Sequence, residues 1–381
     1  MLLKDVAITV FNLDNNSFEP LGEINQYTSL IWPDKFNGFT TFELCAPITE
    51  ENKALIKKDN VLWCGGDNAA IIEIINSDKN DEGEKVYKVK GRTLEMILTT
   101  RIIWGTYDCY NKHTSTAMYE IVDRQCVNPS QAKRKIPFLE CAQDELLGKQ
   151  ITFQKTGGEV YDSLQRLASE ADLGFNVLFR PREKKLIFKV LAGVDRSIMP
   201  TAEGGSNPVI FSTDLEDILS SSYYTNSQDV KSVALVMGEG DGVSRKKVTA
   251  GDDSSSGFLR RETYVDARDL QSQVLNEDGS TTNLSDAEYN AALVNRGDGK
   301  LAECTVTETF EAQMRVTGGQ YVYGIDYNKG DKVLIQDHDL GVQVAGKITE
   351  VIENYGNEYE LVLVFGYSYP TLIQKLKRQI S

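Results

Sequence analysis

Apolar and polar residues alternate through most of the first hundred positions, which is the pattern of β-strands with one buried face. Val6, Ile8 and Val10 begin the pattern, and turn-forming residues follow them at 12–17. Asp, Asn and Gly separate the later runs and can reverse the direction of a chain. The alternation therefore predicts an antiparallel meander, with further strands at residues 39–44, 61–63, 70–75 and 86–90.

The hydrophobic spacing changes to that of helices after Trp104. A first helix is predicted behind possible N-caps at 114–115, and its apolar residues are Met118, Ile121, Val122 and Cys126. A second helix is predicted between Gly158 and Gly174, with Gly174 as its left-handed C-cap. An apolar hairpin follows at 175–190, so this part of the chain is predicted to form an α+β unit.

Strand patterns return in the second half of the chain. They cover residues 209–212 and 232–237, and they resume from Cys304 to Phe365. The intervening residues 238–257 are charged and rich in Gly and Ser, so a mobile loop is predicted there.

Two helices are predicted in this half. Ser285, with Glu288 three residues later, forms the signature of a capped helix N-terminus, and Gly297 would end that helix. Pro370 then opens a short amphipathic tail helix with Leu372, Ile373 and Leu376 on its apolar side.

A segment of the first half recurs near the end of the chain. Residues 58–63 (KDNVLW) and the strands after them are echoed, in the same order, from residue 330 (GDKVLI) onward. This recurrence predicts two β-barrel-like domains of one design. Three such subunits would present six similar units, so the repeat favours an adaptor between threefold and sixfold objects.

Composition narrows the classes of function. The 56 Asp and Glu residues outnumber the 41 Lys and Arg residues, and the formal net charge of −15 argues against a nucleic-acid-binding face. No run of apolar residues reaches the length of a membrane span, and the N-terminal residues lack a signal-peptide pattern. The six cysteines match neither a zinc knuckle nor a disulfide framework, so they are predicted to be reduced, mostly buried thiols.

Candidate chemistry is sparse. With only His113 and His338, the chain offers few bases for a nucleophilic triad, and Asp337-His338-Asp339 fits a turn between strands better than a metal site. We therefore predict no catalytic residue, metal or cofactor. A glycosidase carboxylate pair requires proximity in space rather than in sequence, and strand aromatics can stack on sugars. A cell-wall glycan hydrolase and a carbohydrate-binding tail component thus remain the alternatives.

An ordered set of motifs resembles the Tal-like tail-hub family of siphophages. It begins with YTSLIW at 27–32 and GFTTFEL at 38–44, and continues with GVDRS at 193–197, NPVIFS at 207–212 and GDKV at 330–333. Within these motifs and the positions that follow them, the residues expected to have structural roles are Trp32, Gly38, Phe42, Asp195, Arg196, Pro208, Gly330, Asp331, Gly366 and Pro370.

The resemblance implies a non-enzymatic, trimeric hub at the distal end of a phage tail, related in fold to the baseplate hubs of contractile tails. The chain would be α+β but mainly β. Tube domains at 1–104 and at 204–243 with 300–368 would form a pseudo-sixfold ring. An α+β domain at 105–203 and a second insert at 244–299 would decorate that ring, and the helix at 369–381 would dock a partner.

The partners implied by the resemblance are two further copies of the chain, a distal tail or tube-end protein ring, the tape measure protein, and fibre, spike or receptor-binding proteins. The hub would be assembled in the host cytoplasm and would serve host attachment and DNA ejection from the virion. Many members of the family continue into hydrolase or fibre regions. Because this chain ends at Ser381, any lytic activity is expected to come from another polypeptide.

Overall fold

The computed structural model describes residues 6–14, 17–79, 85–197, 207–212, 218–275, 281–314, 320–337, 342–356 and 358–366. Within these residues the chain is mainly β, as predicted. The tail helix, with Pro370, Leu372, Ile373 and Leu376, lies outside the described residues.

The N-terminal half is an antiparallel array of seven strands, and it contains the strands predicted from the alternation. The elements are β1 (Ile8–Leu13), β2 (Phe18–Ile24), β3 (Ser29–Lys35), β4 (Thr41–Pro47), α1 (Glu50–Leu55), β5 (Val61–Trp63), β6 (Ala69–Lys79) and β7 (Lys85–Thr93), followed by a 3-10 helix at Leu94–Thr100. The strand order from one edge is β2-β1-β5-β6-β7-β4-β3.

An α+β unit follows this array. Its elements are β8 (Thr106–His113), α2 (Thr114–Val122), β9 (Leu139–Cys141), β10 (Gln150–Thr156), α3 (Val160–Glu170), β11 (Leu173–Arg180) and β12 (Lys185–Ala192). Both predicted helices and the hairpin β11–β12 are present. The predicted N-caps at 114–115 are wrong, because both residues lie inside α2 and His113 occupies the N-cap position. The predicted C-cap is wrong, because α3 ends at Glu170, Asp172 adopts the left-handed φ of 56°, and Gly174 lies within β11. A side chain at Gly174 would overlap the carbonyl oxygen of Phe36, which explains the glycine.

The second half contains a further array and an insert. Its elements are β13 (Ile210–Ser212), β14 (Ile218–Asn226), β15 (Val233–Met237), β16 (Lys247–Gly251), β17 (Glu262–Asp266), β18 (Gln273–Leu275), β19 (Thr281–Asn283), α4 (Asp286–Ala302), β20 (Thr307–Met314), β21 (Lys332–Asp337), β22 (Val342–Tyr355) and β23 (Tyr359–Gly366). Five of these strands belong to the same sheet as the N-terminal array, namely β14, β20, β21, β22 and β23. β13 joins that sheet by pairing with β21.

The insert differs from its prediction in three ways. β15 pairs with β16 and β17 in a separate three-stranded sheet, so the predicted boundary between residues 243 and 244 cuts through a pairing unit. β16 lies within the segment predicted to be a mobile loop. Ser285 and Glu288 form the predicted capping box, but α4 continues past Gly297 to Ala302. A Cβ atom at Gly297 would lie 2.5 Å from the Ala250 Cβ, so this glycine allows the helix to pack on the sheet rather than ending it.

The two halves repeat one strand order. In the first half β5, β6, β7, β4 and β3 are neighbours in that sequence, and in the second half β21, β22, β23, β20 and β14 are. β6 has a bulge between Ile72 and Ile74, and β22 has the matching bulge between Ile348 and Glu350. The left-handed residue before β5, Asp59, is the structural equivalent of Gly330 before β21, because the N–H of each donates to the carbonyl of the equivalent isoleucine, Ile72 or Ile348. This equivalence is shifted by one residue from the sequence recurrence, in which Lys58 matches Gly330. The late recurrence in sequence therefore corresponds to a repeated pairing pattern.

Four groups of buried apolar side chains fill the part of the chain that the structure describes. One lies within the N-terminal array and includes Trp32 and Phe42, and a larger one joins β1 and β2 to the α+β unit. A third lies within the C-terminal array, and the fourth lies between α4 and the insert sheet.

Candidate functional site

The structure offers little for catalysis among the residues it describes. In that part of the chain, no three His, Cys, Asp or Glu side chains are grouped to hold a metal ion. His113 precedes α2, and its Nδ1 lies 2.9 Å from the Gly148 carbonyl oxygen. Burial raises the pKa of the Cys126 and Cys141 thiols to about 12, so neither is a ready nucleophile near neutral pH. His338 lies outside the described residues.

One buried carboxyl group has a perturbed pKa, which can indicate a functional site. Glu95 is 3% exposed, and burial raises its pKa. Its Oε1 accepts hydrogen bonds from the Val177 backbone N–H (3.0 Å) and from Asn176 Nδ2 (3.1 Å). These contacts tie the 3-10 helix to β11, so they give Glu95 a structural role.

A continuous seam joins the two halves of the chain. β3 pairs with β22 in antiparallel register from Lys35 opposite Glu350 to Leu30 opposite Tyr355. Trp32, on β3 opposite Glu353, and Phe42, on the neighbouring β4, are both buried, with ring centroids 5.8 Å apart. The seam makes a single 13-stranded sheet from both halves.

Polar contacts reinforce the seam beside its strands. Asp34, on β3, forms an ion pair with Lys329 of the second half, and the Tyr323 hydroxyl donates to the same carboxylate at 3.4 Å. Thr40 Oγ1 donates to Glu350 Oε1 at 2.9 Å. The two halves are therefore fixed to each other by side chains as well as by the backbone ladder.

The end of β3 is also the point where the α+β unit meets both halves. The Lys347 Nζ lies 2.7 Å from Asp172 Oδ1 and 4.3 Å from the centroid of the Phe36 ring. Burial lowers the pKa of Lys347, whereas the Asp172 carboxylate opposes that change. None of these three residues was among the site residues predicted from the sequence. The available signal for Lys347 was a charged side chain within an apolar strand, but its partner is 175 positions away.

Three of the predicted motif residues meet beside Phe36. Arg196 Nε donates to Asp331 Oδ2 at 2.8 Å, and the Asp331 side chain is 4% exposed. The same carboxylate accepts from the backbone N–H groups of Val194 (2.9 Å) and Asn328 (3.0 Å). Gly330 has a left-handed φ of 91°, and a Cβ atom there would overlap the Phe36 ring. This group, Arg196, Asp331 and Gly330, connects the end of the α+β unit to the start of β21.

The other motif residues occupy separate positions. Gly38 lies against the Tyr161 hydroxyl with no space for a side chain, and Gly366 ends β23 with a left-handed φ of 82°. Asp195 is exposed, and its Oδ1 accepts from the Ser197 backbone N–H at 3.0 Å. Pro208 comes directly before the buried Val209, which precedes β13. These residues shape turns and close contacts, and the structure does not gather them into one surface.

The family model described as Siphovirus ReqiPepy6 Gp37-like protein matches residues 8–367. No curated protein sequence matches the chain. None of the helices that the structure describes has both the length and the apolar character needed to cross a membrane.

Several solved phage tail proteins share this fold at low sequence identity. The tail protein from Neisseria meningitidis MC58 is 12% identical and superposes with a TM-score of 0.53. The aligned region covers 95% of this chain and 96% of that one. The 43 kDa tail protein of prophage MuSo2 from Shewanella oneidensis is 12% identical, with a TM-score of 0.54 covering 95% and 98%. The prophage tail protein gp18 from Listeria monocytogenes EGD-e is 11% identical, with a TM-score of 0.50 covering 98% of each chain.

Proposed function

The chain belongs to the family of Siphovirus ReqiPepy6 Gp37-like proteins, and from this membership we propose that it is the hub of a phage tail tip or baseplate. In this proposal the hub is a homotrimer at the distal end of the tail. It adapts the sixfold tail tube to a threefold tip and anchors the adsorption proteins. The fold shared with solved tail proteins supports a structural role in a tail.

The observation that carries the hub proposal is the duplicated strand order within one chain. A ring of three chains would contain six similar β-units, so it could contact a sixfold ring on one side and keep threefold symmetry on the other. The two β-units are the proposed tube domains, residues 1–104 and the paired segments 204–226 with 306–368. The insert boundaries move outward from 244–299 because β15 pairs within the insert.

Separate partners are proposed for the β-units and for the inserts. The tube-end or distal tail protein ring and the tape measure protein would contact the β-units, and fibre, spike or receptor-binding proteins would contact the inserts. The tail segment 369–381, with Leu372, Ile373 and Leu376, stays a predicted docking helix. Deleting residues 371–381 should leave the chain folded but impair its incorporation into particles.

The proposed role is mechanical rather than enzymatic. The buried ion pairs and close glycine contacts of the described residues hold the two halves in one arrangement, which supports a mechanical role. A zymogram on host peptidoglycan tests the alternative of a glycan hydrolase, since a cleared band at the mass of this chain would contradict the mechanical proposal.

The trimer is tested by light scattering of the purified chain over a range of concentrations, with negative-stain images of the same sample. We expect a mass three times 42.5 kDa and ring-shaped particles. A chain that stays monomeric at every concentration, both alone and with the tube-end ring protein present, would contradict the proposal.

A further inference from the structure

We propose that the outer edge of β6 pairs with β14 of a second copy of this chain, in the register by which β22 pairs with β3 inside one chain. This inference rests on the proposed trimer and assigns the strands that would hold it together. It follows from comparing the two halves, because one half has an internal partner at a position where the other has none among the described residues.

The first step is the equivalence of β22 and β6. Both strands pair on one side with a short preceding strand, β21 or β5, and then along their length with the following strand, β23 or β7. Their bulges align Ile72 with Ile348, so Ile75 corresponds to Val351 and Lys79 to Tyr355.

The second step is the equivalence of β3 and β14. β4 and β20, their neighbours, carry the same tripeptide Thr-Phe-Glu at 41–43 and 309–311. These tripeptides pair with matching positions of β7 and β23. When β4 and β20 are aligned on this tripeptide, the strand paired with each can be aligned as well. Ser29 of β3 then corresponds to Ser220 of β14, and Trp32 corresponds to Tyr223.

The third step is the difference between the two halves. β22 is paired on both sides, because β3 covers the edge that β21 leaves open. The equivalent edge of β6, residues 74–79, has no strand beside it among the described residues, since β5 pairs only with Ala69–Ile71. Ile74 is 51% exposed there, and Ile75 is only partly buried although its equivalent Val351 is 1% exposed. A long edge carrying isoleucines is a template for another strand.

The fourth step identifies the occupant. β14 lies at the end of the strand order, paired with β20, and it is the equivalent of the strand that covers β22. β14 and β6 are separated by six strands in one sheet, and the described chain does not join them. Pairing β6 of one copy with β14 of the next gives a head-to-tail contact, which generates a ring where the rotation closes. Three copies would give six units and six similar seams.

The intramolecular seam also fixes the register. Because Val351 faces Asp34 and Ile352 faces Pro33, Ile75 should face Thr225 and Asn76 should face Tyr224 of the neighbouring copy. Pro33 cannot donate a hydrogen bond, so its pair is of the non-hydrogen-bonded type, in which side chains lie closest. Asn76 and Tyr224 therefore form the best pair for a disulfide test.

The test mixes two single variants, Asn76→Cys and Tyr224→Cys, under mild oxidation. We expect a disulfide-linked dimer of doubled mass in the mixture, and mass spectrometry should place the bond between the two introduced thiols. The matched control replaces Tyr224→Cys with Thr225→Cys, because a shift of one residue moves the side chain to the opposite face. Each variant alone controls for the six native cysteines.

The outcomes separate this inference from the proposed function. A trimer by light scattering without the expected cross-link, or with the control cross-link formed equally well, would overturn the strand assignment and leave the trimer standing. Absence of any oligomer would contradict both.

A second pair of variants tests the edge without oxidation. In the proposed register the Ser77 N–H points toward the neighbouring copy, so Ser77→Pro should remove a seam hydrogen bond and reduce the native mass toward that of one chain. Proline is tolerated at strand edges, and circular dichroism should show an unchanged fold. Ser77→Ala keeps the N–H and should keep the wild-type mass. Equal masses for the two variants would contradict the assignment.

Discussion

At the residue scale, the described structure depends on a few buried charges whose partners lie far away in sequence. Asp331 accepts hydrogen bonds from Arg196 and from two backbone N–H groups, and Lys347 is paired with Asp172 beside Phe36. Such groups are costly to bury and still costlier to leave without a partner. Local patterns identified Arg196 and Asp331 through the motifs, but they could not pair them, because no periodicity connects positions 135 residues apart.

Asp331→Ala should destabilise the chain strongly. It leaves the Arg196 guanidinium without its carboxylate and two backbone donors without their acceptor. We expect the free energy of unfolding to fall by about 3–5 kcal/mol. Urea titration would measure the change. Asp195→Ala is the matched control. Because Asp195 lies in an exposed turn, its replacement should lower the free energy of unfolding by about 1 kcal/mol or less. Equal losses for the two variants would contradict the assigned role of Asp331.

Glu95 should make stability depend on pH. Its pKa in the folded chain is raised above its ordinary value of 4.5, so the folded state holds a proton that the unfolded state releases. Its stabilising contribution is therefore complete below pH 4.5 and is lost as pH rises through the folded-state pKa. Glu95→Gln can accept the same two hydrogen bonds without the charge. Measured by urea titration, the difference in unfolding free energy, wild type minus variant, should decrease as pH rises from 4.5 to neutral; a constant difference would contradict this prediction.

At the element scale, local alternation predicted the strands of the N-terminal array, and helical spacing predicted α2, α3 and α4. The predicted helix ends were wrong where a glycine allows close packing instead of ending a helix. Gly174 and Gly297 both fit the sequence signature of a helix end, yet one lies in a strand and the other inside α4. At each glycine, an atom from a distant segment leaves no space for a side chain. The local sequence does not show that such a neighbour is present.

The two glycines of α4 provide a matched test. Gly297→Ala would gain helix propensity of about 1 kcal/mol, but its Cβ would lie 2.5 Å from the Ala250 Cβ. We expect a net loss of about 1–3 kcal/mol, because the helix must move from the sheet.

For Gly299→Ala, the three atoms nearest the new Cβ all belong to the Glu170 carboxylate, the closest at 2.7 Å, and this flexible side-chain end can shift. It should leave stability unchanged or raise it by up to about 1 kcal/mol. Thermal unfolding of both variants measures the contrast, and the opposite order of stabilities would contradict the packing role of Gly297.

At the scale of the whole molecule, the sheet that unites the two halves was not predictable from local pattern. The recurrence indicated two similar units, but the pairing of β3 with β22 joins positions more than 300 residues apart. The sequence motifs also gave no indication that the α+β unit contacts both halves through Phe36 and Lys347. Long-range contacts of this kind depend on the assembled fold rather than on any single segment.

Salt should favour the proposed trimer. Each chain has a formal net charge of −15, so like charges oppose association. Raising the ionic strength from about 0.01 M to about 0.1 M shortens the screening length from roughly 30 Å to roughly 10 Å. At a fixed protein concentration, light scattering should show a larger trimeric fraction at the higher ionic strength. Dissociation by salt would instead indicate an interface built on opposite charges and would contradict seams formed mainly by backbone pairing.

The insert of the second half has its two ends beside each other, because Asn226 and Thr307 are directly opposite in the ladder of β14 and β20. The equivalent strands of the first half, β3 and β4, are joined by residues 36–40 alone. The insert is thus a hairpin loop enlarged to a folded module. Since the entropic cost of a longer loop grows only logarithmically, this site can accept modules of different size. In the proposed hub, exchange of that module would change the outer decoration and keep the same β-sheet core, and it offers a position for grafting a foreign domain.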